Sequence, residues 1–81
     1  MTFEERRILR ERIIRDLYND YFENVGREQI LKFNLDDIEE KEKHLAYQYW
    51  EGKKLINYRL ISKDGLYGVK INSYGIDYVE K

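Results

Sequence analysis

The chain contains no cysteine and only one histidine among its 81 residues. Without cysteine, it can form no disulfide, no zinc–thiolate site and no thiol nucleophile. One histidine cannot build a multi-histidine metal site, and the five glycines do not form a phosphate-binding loop. The sequence therefore predicts no catalytic, metal or cofactor site, no small-molecule substrate, and a protein that is not an enzyme.

Long apolar runs are also missing. No stretch approaches the about 20 apolar residues that a transmembrane helix needs, and MTFEERRILR lacks the apolar region of a signal peptide. We therefore expect a soluble, cytoplasmic protein with no membrane partner. The length predicts one domain, residues 1–81, which buries only about 60 to 65% of its unfolded surface. A partner is one way to complete so small a core.

Positive and negative charges nearly cancel, since the net charge is −1 although 38% of the residues are charged. This balance is not typical of a nucleic-acid-binding domain. Residues 34–52 hold six acidic and two basic side chains, a net charge of −4. Residues 53–81 hold six basic and three acidic side chains, a net charge of +3. The middle of the chain is therefore acidic and the C-terminal part basic.

The strongest local signal is Asp64-Gly65, because tight hairpin turns need residues that tolerate positive φ. A two-residue loop there predicts a hairpin in which Leu60 lies opposite Val69. The predicted apolar face consists of Ile56, Tyr58, Leu60, Tyr67, Val69 and Ile71. The opposite face is polar and basic apart from Ile61, and consists of Asn57, Arg59, Ile61, Gly68, Lys70 and Asn72.

A capping box at Thr2 and Glu5 predicts the start of a long first helix. No glycine or proline interrupts the pattern before Gly26, so the helix should reach about Glu23. The side chains expected to face the core are Phe3, Leu9, Ile13, Ile14, Leu17, Tyr18 and Tyr21. Ile8 and Phe22 fall outside this arc and are candidates for contact with another segment or chain.

A second main helix is predicted over residues 34–51, starting at the Asn34 and Asp37 cap signals and ending at Gly52 or at Lys53-Lys54. The predicted buried arc consists of Leu35, Ile38, Leu45, Ala46, Tyr49 and Trp50. His44 is expected on the outer, solvated face together with Glu40, Tyr47 and Glu51.

Two shorter segments complete the prediction. Residues 27–33 could form a turn of helix or a short strand, and the sequence leaves both open. Ser73 can cap a last short helix, residues 74–80, with Ile76 and Val79 turned inward.

Two segments of the chain resemble sequence patterns of a known family. They are residues 49–56, which include Tyr49-Trp50-Glu51 and Leu55-Ile56, and residues 69–78, VKINSYGIDY. They are similar to the "YLEEKGLI" helix end and the "ITxxGIDYLE" strand exit of small bacterial winged-helix proteins. The resemblance implies an α+β, winged-helix-like domain with a long N-terminal helix, a second main helix, a two-stranded β-hairpin wing and a short C-terminal helix. Family members usually carry glycine at the position of Lys54 for a left-handed helix cap. Here either Gly52 takes over that role or Lys54 is slightly strained.

The resemblance also implies a DNA-binding module of the transcriptional-regulator type. Helix 34–51 would enter the major groove of double-stranded DNA, and the basic hairpin, residues 55–72, would follow the phosphates. The candidate DNA contacts are Lys43, Tyr47, Lys53, Lys54, Arg59, Lys63 and Lys70.

The alternative is a protein-interaction module that keeps the scaffold and binds no nucleic acid, with a homodimer compatible with either function. The acidic second helix and the near-zero net charge support it, as do apolar side chains that the pattern leaves outside the core. Those side chains are Ile8, Phe22, Ile61 and Leu66.

One polar pair falls at predicted buried positions. At 100° per residue, Arg10 and Glu42 lie near the centres of the two buried helix arcs. Because a buried unpaired charge is costly, they should either pair with each other or extend outward along the helix surfaces.

Overall fold

The computed structural model describes all 81 residues, which form three helices and one three-stranded antiparallel sheet. In chain order the elements are α1 (Phe3–Glu23), β1 (Gln29–Lys32), α2 (Ile38–Gly52), β2 (Ile56–Ser62), β3 (Leu66–Ile71) and α3 (Ser73–Glu80). The strand order is β1-β3-β2, so β3 is the central strand. The α+β class predicted from the sequence is confirmed. None of the three helices combines the length and apolar character needed to cross a membrane.

The predicted capping box at the start of α1 is confirmed. The Thr2 hydroxyl accepts a hydrogen bond from the Glu5 amide (3.2 Å), and the Glu5 carboxylate accepts one from the Thr2 amide (2.9 Å). The helix runs to Glu23, as predicted. The prediction that Phe3 faces the core is wrong, because this first-turn side chain is 90% exposed. The buried residues of α1 are Leu9, Ile13, Ile14 and Leu17.

Two consecutive residues with positive φ separate α1 from β1. Val25 has φ 57° and Gly26 has φ 73°. The segment left open by the sequence contains a strand, β1, which pairs with β3 so that Leu31 lies opposite Tyr67. A third strand therefore extends the β2–β3 hairpin into a sheet.

We expect Val25→Gly to raise the free energy of unfolding by about 1 kcal/mol, because a β-branched residue is strained at positive φ and glycine is not. Val25 is 86% exposed, so the substitution removes little packing. Urea denaturation followed by circular dichroism measures the change. Val25→Ala is the control, since it keeps the Cβ atom and should gain less. Equal midpoints for the wild type and Val25→Gly would contradict the strain.

Helix α2 starts at Ile38 rather than at the predicted Asn34. Asp37 is the N-cap and accepts from the Glu40 amide (3.1 Å), while the Asn34 side chain accepts from the Asp36 amide (3.1 Å) within the preceding turn. Asp37 therefore caps the helix instead of Asn34, because the Asn34 side chain already accepts a hydrogen bond within the preceding turn.

Lys54 settles the alternative left open at the C-terminal end of α2. It adopts φ 64°, whereas Gly52 has no positive φ. Lys54 therefore occupies the left-handed conformation after the helix, where a residue with a Cβ atom bears some strain.

The predicted orientation of α2 about its axis is largely wrong. Four residues of the predicted buried arc are at least 40% exposed, whereas His44, predicted to be solvated, is only 8% exposed. The exposed four are Leu35, Ile38, Leu45 and Tyr49. Ala46 and Trp50 are buried as predicted. The helix thus turns a different side toward the sheet.

The β2–β3 pairing differs by two residues from the predicted register. Leu60 lies opposite Tyr67, not Val69, because the turn contains three residues and only Gly65 among them has positive φ, 85°. A shift of two keeps each side chain on its predicted face. A bulge between Leu60 and Ser62 ends this regular pairing, and Leu60 is 56% exposed, contrary to prediction.

Helix α3 is capped by Asn72, not by the predicted Ser73. The Asn72 side chain accepts from the Gly75 amide (3.1 Å). Ile76 and Val79 pack against the core, as predicted. One continuous core consists of Leu9, Ile13, Ile14, Leu17, Phe33, Ala46, Trp50, Ile56, Tyr58, Val69 and Ile71.

Candidate functional site

The side of α2 that faces away from the sheet carries exposed apolar residues. Ile38 is 78% exposed, Leu45 45% and Tyr49 40%. Helical spacing places them in one arc with three further residues. We call this arc the outer face of α2, and it consists of Ile38, Lys41, Leu45, Gln48, Tyr49 and Gly52. Only one of these six residues is charged, and the three apolar side chains are only partly covered by the rest of the chain.

Aromatic packing explains why the opposite side of α2 is buried. His44 Nδ1 is hydrogen-bonded to Tyr58 Oη (2.8 Å), and the His44 ring lies 5.0 Å from that of Tyr67. The Tyr47 ring stacks on Tyr58 at 5.3 Å, and burial raises the pKa of Tyr47 to about 12. The predicted outward positions of His44 and Tyr47 are therefore wrong. The predicted DNA contact of Tyr47 remains a prediction.

We expect the protein to lose stability because of His44 as the pH falls from above 6.5 to below it. Burial lowers the pKa of His44 below its usual value of 6.5, whereas the unfolded chain keeps the usual value. Below 6.5 the unfolded chain therefore binds the proton first, and the equilibrium moves toward unfolding. The contribution of His44 to the free energy of unfolding is therefore at its maximum above pH 6.5. It decreases as the pH falls, until the lowered pKa of His44 in the folded chain is reached.

Urea midpoints measured across this pH range test the expectation, with His44→Gln as the comparison. Glu28 and Glu42 also have shifted pKa values, but theirs lie below the usual 4.5, so they act at lower pH. The His44→Gln variant should show little pH dependence above about pH 5. The same dependence in this variant would assign the effect to another group.

Charge changes sign along α2. Asp36, Asp37 and Glu39 stand at its N-terminal end, and Lys53 with Lys54 follows its C-terminal end. Acidic residues near the N-terminus and basic residues near the C-terminus both suit the helix dipole. The helix therefore presents an apolar outer face between an acidic and a basic end.

The basic end is reinforced by α1. The Arg10 guanidinium lies over the Tyr49 ring, 4.4 Å from its centre, and Lys53 Nζ lies 5.6 Å from the same centre. Neither cation has a carboxylate oxygen within 4.0 Å. They border a cleft of about 340 Å³ between the helices, which Arg7 and Tyr78 also line. Two free cations thus flank the C-terminal end of the outer face.

Of the two alternatives predicted for Arg10 and Glu42, pairing with each other does not occur. Glu42 instead receives two hydrogen bonds from Arg6, from Nε (3.1 Å) and Nη2 (2.9 Å). These bonds, and the charge of Arg6, lower the pKa of Glu42. The Arg10 carbonyl accepts from the Trp50 indole (2.8 Å). Arg6 lies one turn nearer the start of α1, so a prediction made at 100° per residue had the right charge type but the wrong turn.

On the outer face of the sheet, Arg59 is already paired. Its Nε and Nη2 atoms donate to Glu28 at 3.0 and 2.8 Å. The pair lies over Gly68, where a Cβ atom would come within 2.5 Å of the Glu28 carboxylate. The hydrogen bond from Arg59 is the main cause that lowers the pKa of Glu28. Arg59 is therefore less available to phosphate than its sequence position predicts.

The predicted DNA contacts gather only in part. Lys54 and Arg59 line one cleft together with Asn57 and Asn72, whereas Lys53 lies beside α1. Lys63 is exposed in the β2–β3 turn, and Lys43 is exposed in the N-terminal half of α2. Arg59 and Lys70 belong to β2 and β3, on the outer face of the sheet. The sequence thus identified exposed cations but not a continuous basic surface.

Most of the apolar residues that were predicted to lie outside the core are exposed. Ile8, Phe22 and Ile61 are 61%, 56% and 42% exposed, and Leu66 is partly buried. What the sequence pattern missed is the outer face of α2, whose apolar residues Ile38, Leu45 and Tyr49 were predicted to lie in the core. The signal was present: α2 has more apolar and aromatic positions than one buried arc can contain.

No group of histidine, cysteine, aspartate or glutamate side chains converges in a way that could hold a metal ion. Comparison of the chain with protein-family models, with curated proteins and with solved structures finds no match.

Proposed function

We propose that the chain is a protein-interaction module on a winged-helix-like scaffold, with the outer face of α2 as its binding surface. The observation that carries the proposal is the exposure of Ile38, Leu45 and Tyr49 along one side of a helix. Apolar surface of this kind, bordered by polar residues, is typical of association sites because its burial against a partner is favourable.

The order of the elements supports the scaffold. A long N-terminal helix, a second helix that leads into the β2–β3 hairpin, and a short C-terminal helix follow one another as the sequence resemblance implies. The hairpin would be the wing. β1 is the added element, and it supports the hairpin from the other side of β3.

The chemistry of the outer face favours a protein over a nucleic acid. A recognition helix in the major groove needs donors and cations for base edges and phosphates. This face itself offers only Lys41, Gln48 and the Tyr49 hydroxyl. Arg10 and Lys53 add two cations at one end of it. Glu39 and Glu51 are exposed on either side of it and would repel a polyanion. An apolar partner surface has no such conflict.

Site-specific crosslinking in the cells that make the protein tests the proposal. A photoreactive amino acid replaces Gln48, on the outer face of α2, or Asn57, an exposed position on β2 that serves as the matched control. We expect a covalent protein adduct from position 48 and none from position 57. The adduct, identified by mass spectrometry and rebuilt from purified components, should disappear with Leu45→Glu. Absence of any adduct at position 48 would refute the proposal.

DNA binding is the second candidate, favoured by a specific observation. Five of the predicted contacts have no carboxylate oxygen within 4.0 Å, namely Lys43, Lys53, Lys54, Lys63 and Lys70. Free cations are suited to phosphate contacts, which are independent of base sequence.

For this candidate we expect Lys63→Ala with Lys70→Ala to weaken duplex binding equally on all sequences. The slope of log affinity against log salt should flatten by about 0.9 for each phosphate that the variant no longer neutralises. Arg59→Ala is the control, and its effect should be smaller because Arg59 is already paired with Glu28. No mobility shift by the wild type at low salt would exclude the candidate.

A further inference from the structure

We infer that the partner of the outer face of α2 is a second copy of this chain, bound as an antiparallel, two-fold pair of α2 helices centred on Leu45. The inference rests on the proposed function and names the occupant of the same surface. In a two-fold dimer the same patch serves both copies, so the patch must be complementary to itself. Shape and charge along α2 both meet this condition.

Gly52 supplies the first observation. Gly52 is the last residue of α2, so glycine costs less here than the about 1 kcal/mol of a helix interior. It has no positive φ, and no atom lies within 4 Å of the place where its Cβ would be, so the fold of the chain itself leaves this position open. In an antiparallel pair centred on Leu45, Gly52 lies opposite Ile38 of the second copy. The missing side chain makes room for Ile38, which is 78% exposed in one copy alone.

Charge supplies the second observation. An antiparallel pair places the acidic start of one α2, with Asp36 and Asp37, beside the basic end of the other, with Lys53. Arg10 and Lys53 have no carboxylate partner within their own chain. The carboxylates of the second copy would supply one, and the two helix dipoles would also be opposed.

The groove beside α2 extends the contact. It has a volume of about 270 Å³ and is lined by Arg6, Leu9, Arg10, Glu42, Leu45 and Ala46. A 15-residue helix is about 22 Å long, so a single helix pair gives an interface at the small end of the range for specific complexes. We therefore expect a dissociation constant of about 1 to 100 μM rather than a permanent dimer.

Sedimentation velocity over a range of protein concentrations tests the inference. The wild type should pass from monomer to dimer. Gly52→Leu should raise the dissociation constant at least about tenfold, because its side chain meets open space in the monomer and Ile38 in the dimer. Circular dichroism checks that this variant is folded. Ile38→Glu provides a second variant at an exposed position, and Ile61→Asp, on β2, is the control that should dimerise like the wild type.

Charge reversal tests the direction of the helices. Lys53→Glu alone and Asp36→Lys alone should each weaken the dimer, and the double variant should recover most of the affinity of the wild type. Neither side chain makes a hydrogen bond or ion pair within the chain, so the folded monomer should tolerate both changes. Failure of the double variant to recover would overturn the antiparallel arrangement.

The outcomes also separate this inference from the proposed function. A wild type that stays monomeric at all concentrations while position 48 crosslinks to a different protein overturns the homodimer and leaves the interaction module standing. A monomer with no adduct at position 48 overturns both. If the Gly52→Leu variant has the same dissociation constant as the wild type, the pairing of Gly52 with Ile38 of the second copy is overturned.

Discussion

Replacement of Trp50 by alanine is expected to lower the free energy of unfolding by about 3 to 5 kcal/mol. This is a large part of the about 5 to 15 kcal/mol that stabilises an ordinary domain, so the variant should unfold at a much lower temperature than the wild type. Trp50 is 4% exposed and belongs to the continuous core. Its ring lies 5.3 Å from that of Tyr78 in α3, and its indole N–H donates to the Arg10 carbonyl in α1. The residue therefore joins all three helices.

Thermal and urea denaturation measure this loss, with Tyr49→Ala as the matched control. Tyr49 is the preceding aromatic residue on the same helix but is 40% exposed, so its loss should cost about 1 kcal/mol. Trp50→Phe keeps an apolar ring and removes the N–H donor, and it should fall between the two. Equal costs for Trp50→Ala and Tyr49→Ala would show that Trp50 does not join the helices as described.

Gly75→Ala is expected to cost about 3 kcal/mol, a large effect for one methyl group. The Cβ atom would collide with the Leu55 carbonyl oxygen and lie 2.5 Å from Ile71 Cγ1. Backbone cannot move aside as a flexible side chain can, so the start of α3 must shift away from β3. The expected signs are a lower denaturation midpoint and faster amide exchange in α3.

The control for Gly75→Ala is the same substitution at Gly52, which is also in a helix. With no atom within 4 Å of its Cβ position, and at the last residue of α2, Gly52→Ala should change the stability of the monomer by no more than about 0.5 kcal/mol. Both variants are measured by urea denaturation at a concentration below the dimerisation range. Destabilisation of similar size at both positions would mean that helical context, not the close approach of Leu55, sets the cost at Gly75.

The outer face of α2 shows why a buried arc could not be assigned from periodicity. Ile38, Leu45 and Tyr49 form one arc, and Ala46, Tyr47 and Trp50 form another, with His44 beside the second. Both arcs are apolar enough to face a core. The choice depends on Tyr58 and Tyr67, which are 14 or more residues away and offer His44 a hydrogen bond and an aromatic contact. A window that covers only the helix contains neither of them.

The hairpin register shows a similar limit at shorter range. Asp64-Gly65 correctly predicted the position of the turn. The same residues are compatible with a loop of two or of three residues, and the sequence of the turn does not distinguish the two. Phe33, which precedes α2, accounts for part of the choice. Its amide donates to the Gly65 carbonyl (3.0 Å), so the turn is held by a segment more than 30 residues earlier.

The sequence by itself determined the features that depend on neighbouring residues. These are α1 with its capping box, the presence of α2 and α3, the position of the turn at Gly65 and the α+β class. Short-range hydrogen bonds and helical propensity decide them, and both act within a few residues. Only the tertiary structure decided the rotation of α2, the entry of β1 into the sheet, and the pairing of Glu42 with Arg6. These depend on contacts between distant segments, because side chains with similar polarity compete for one buried position and packing selects among them.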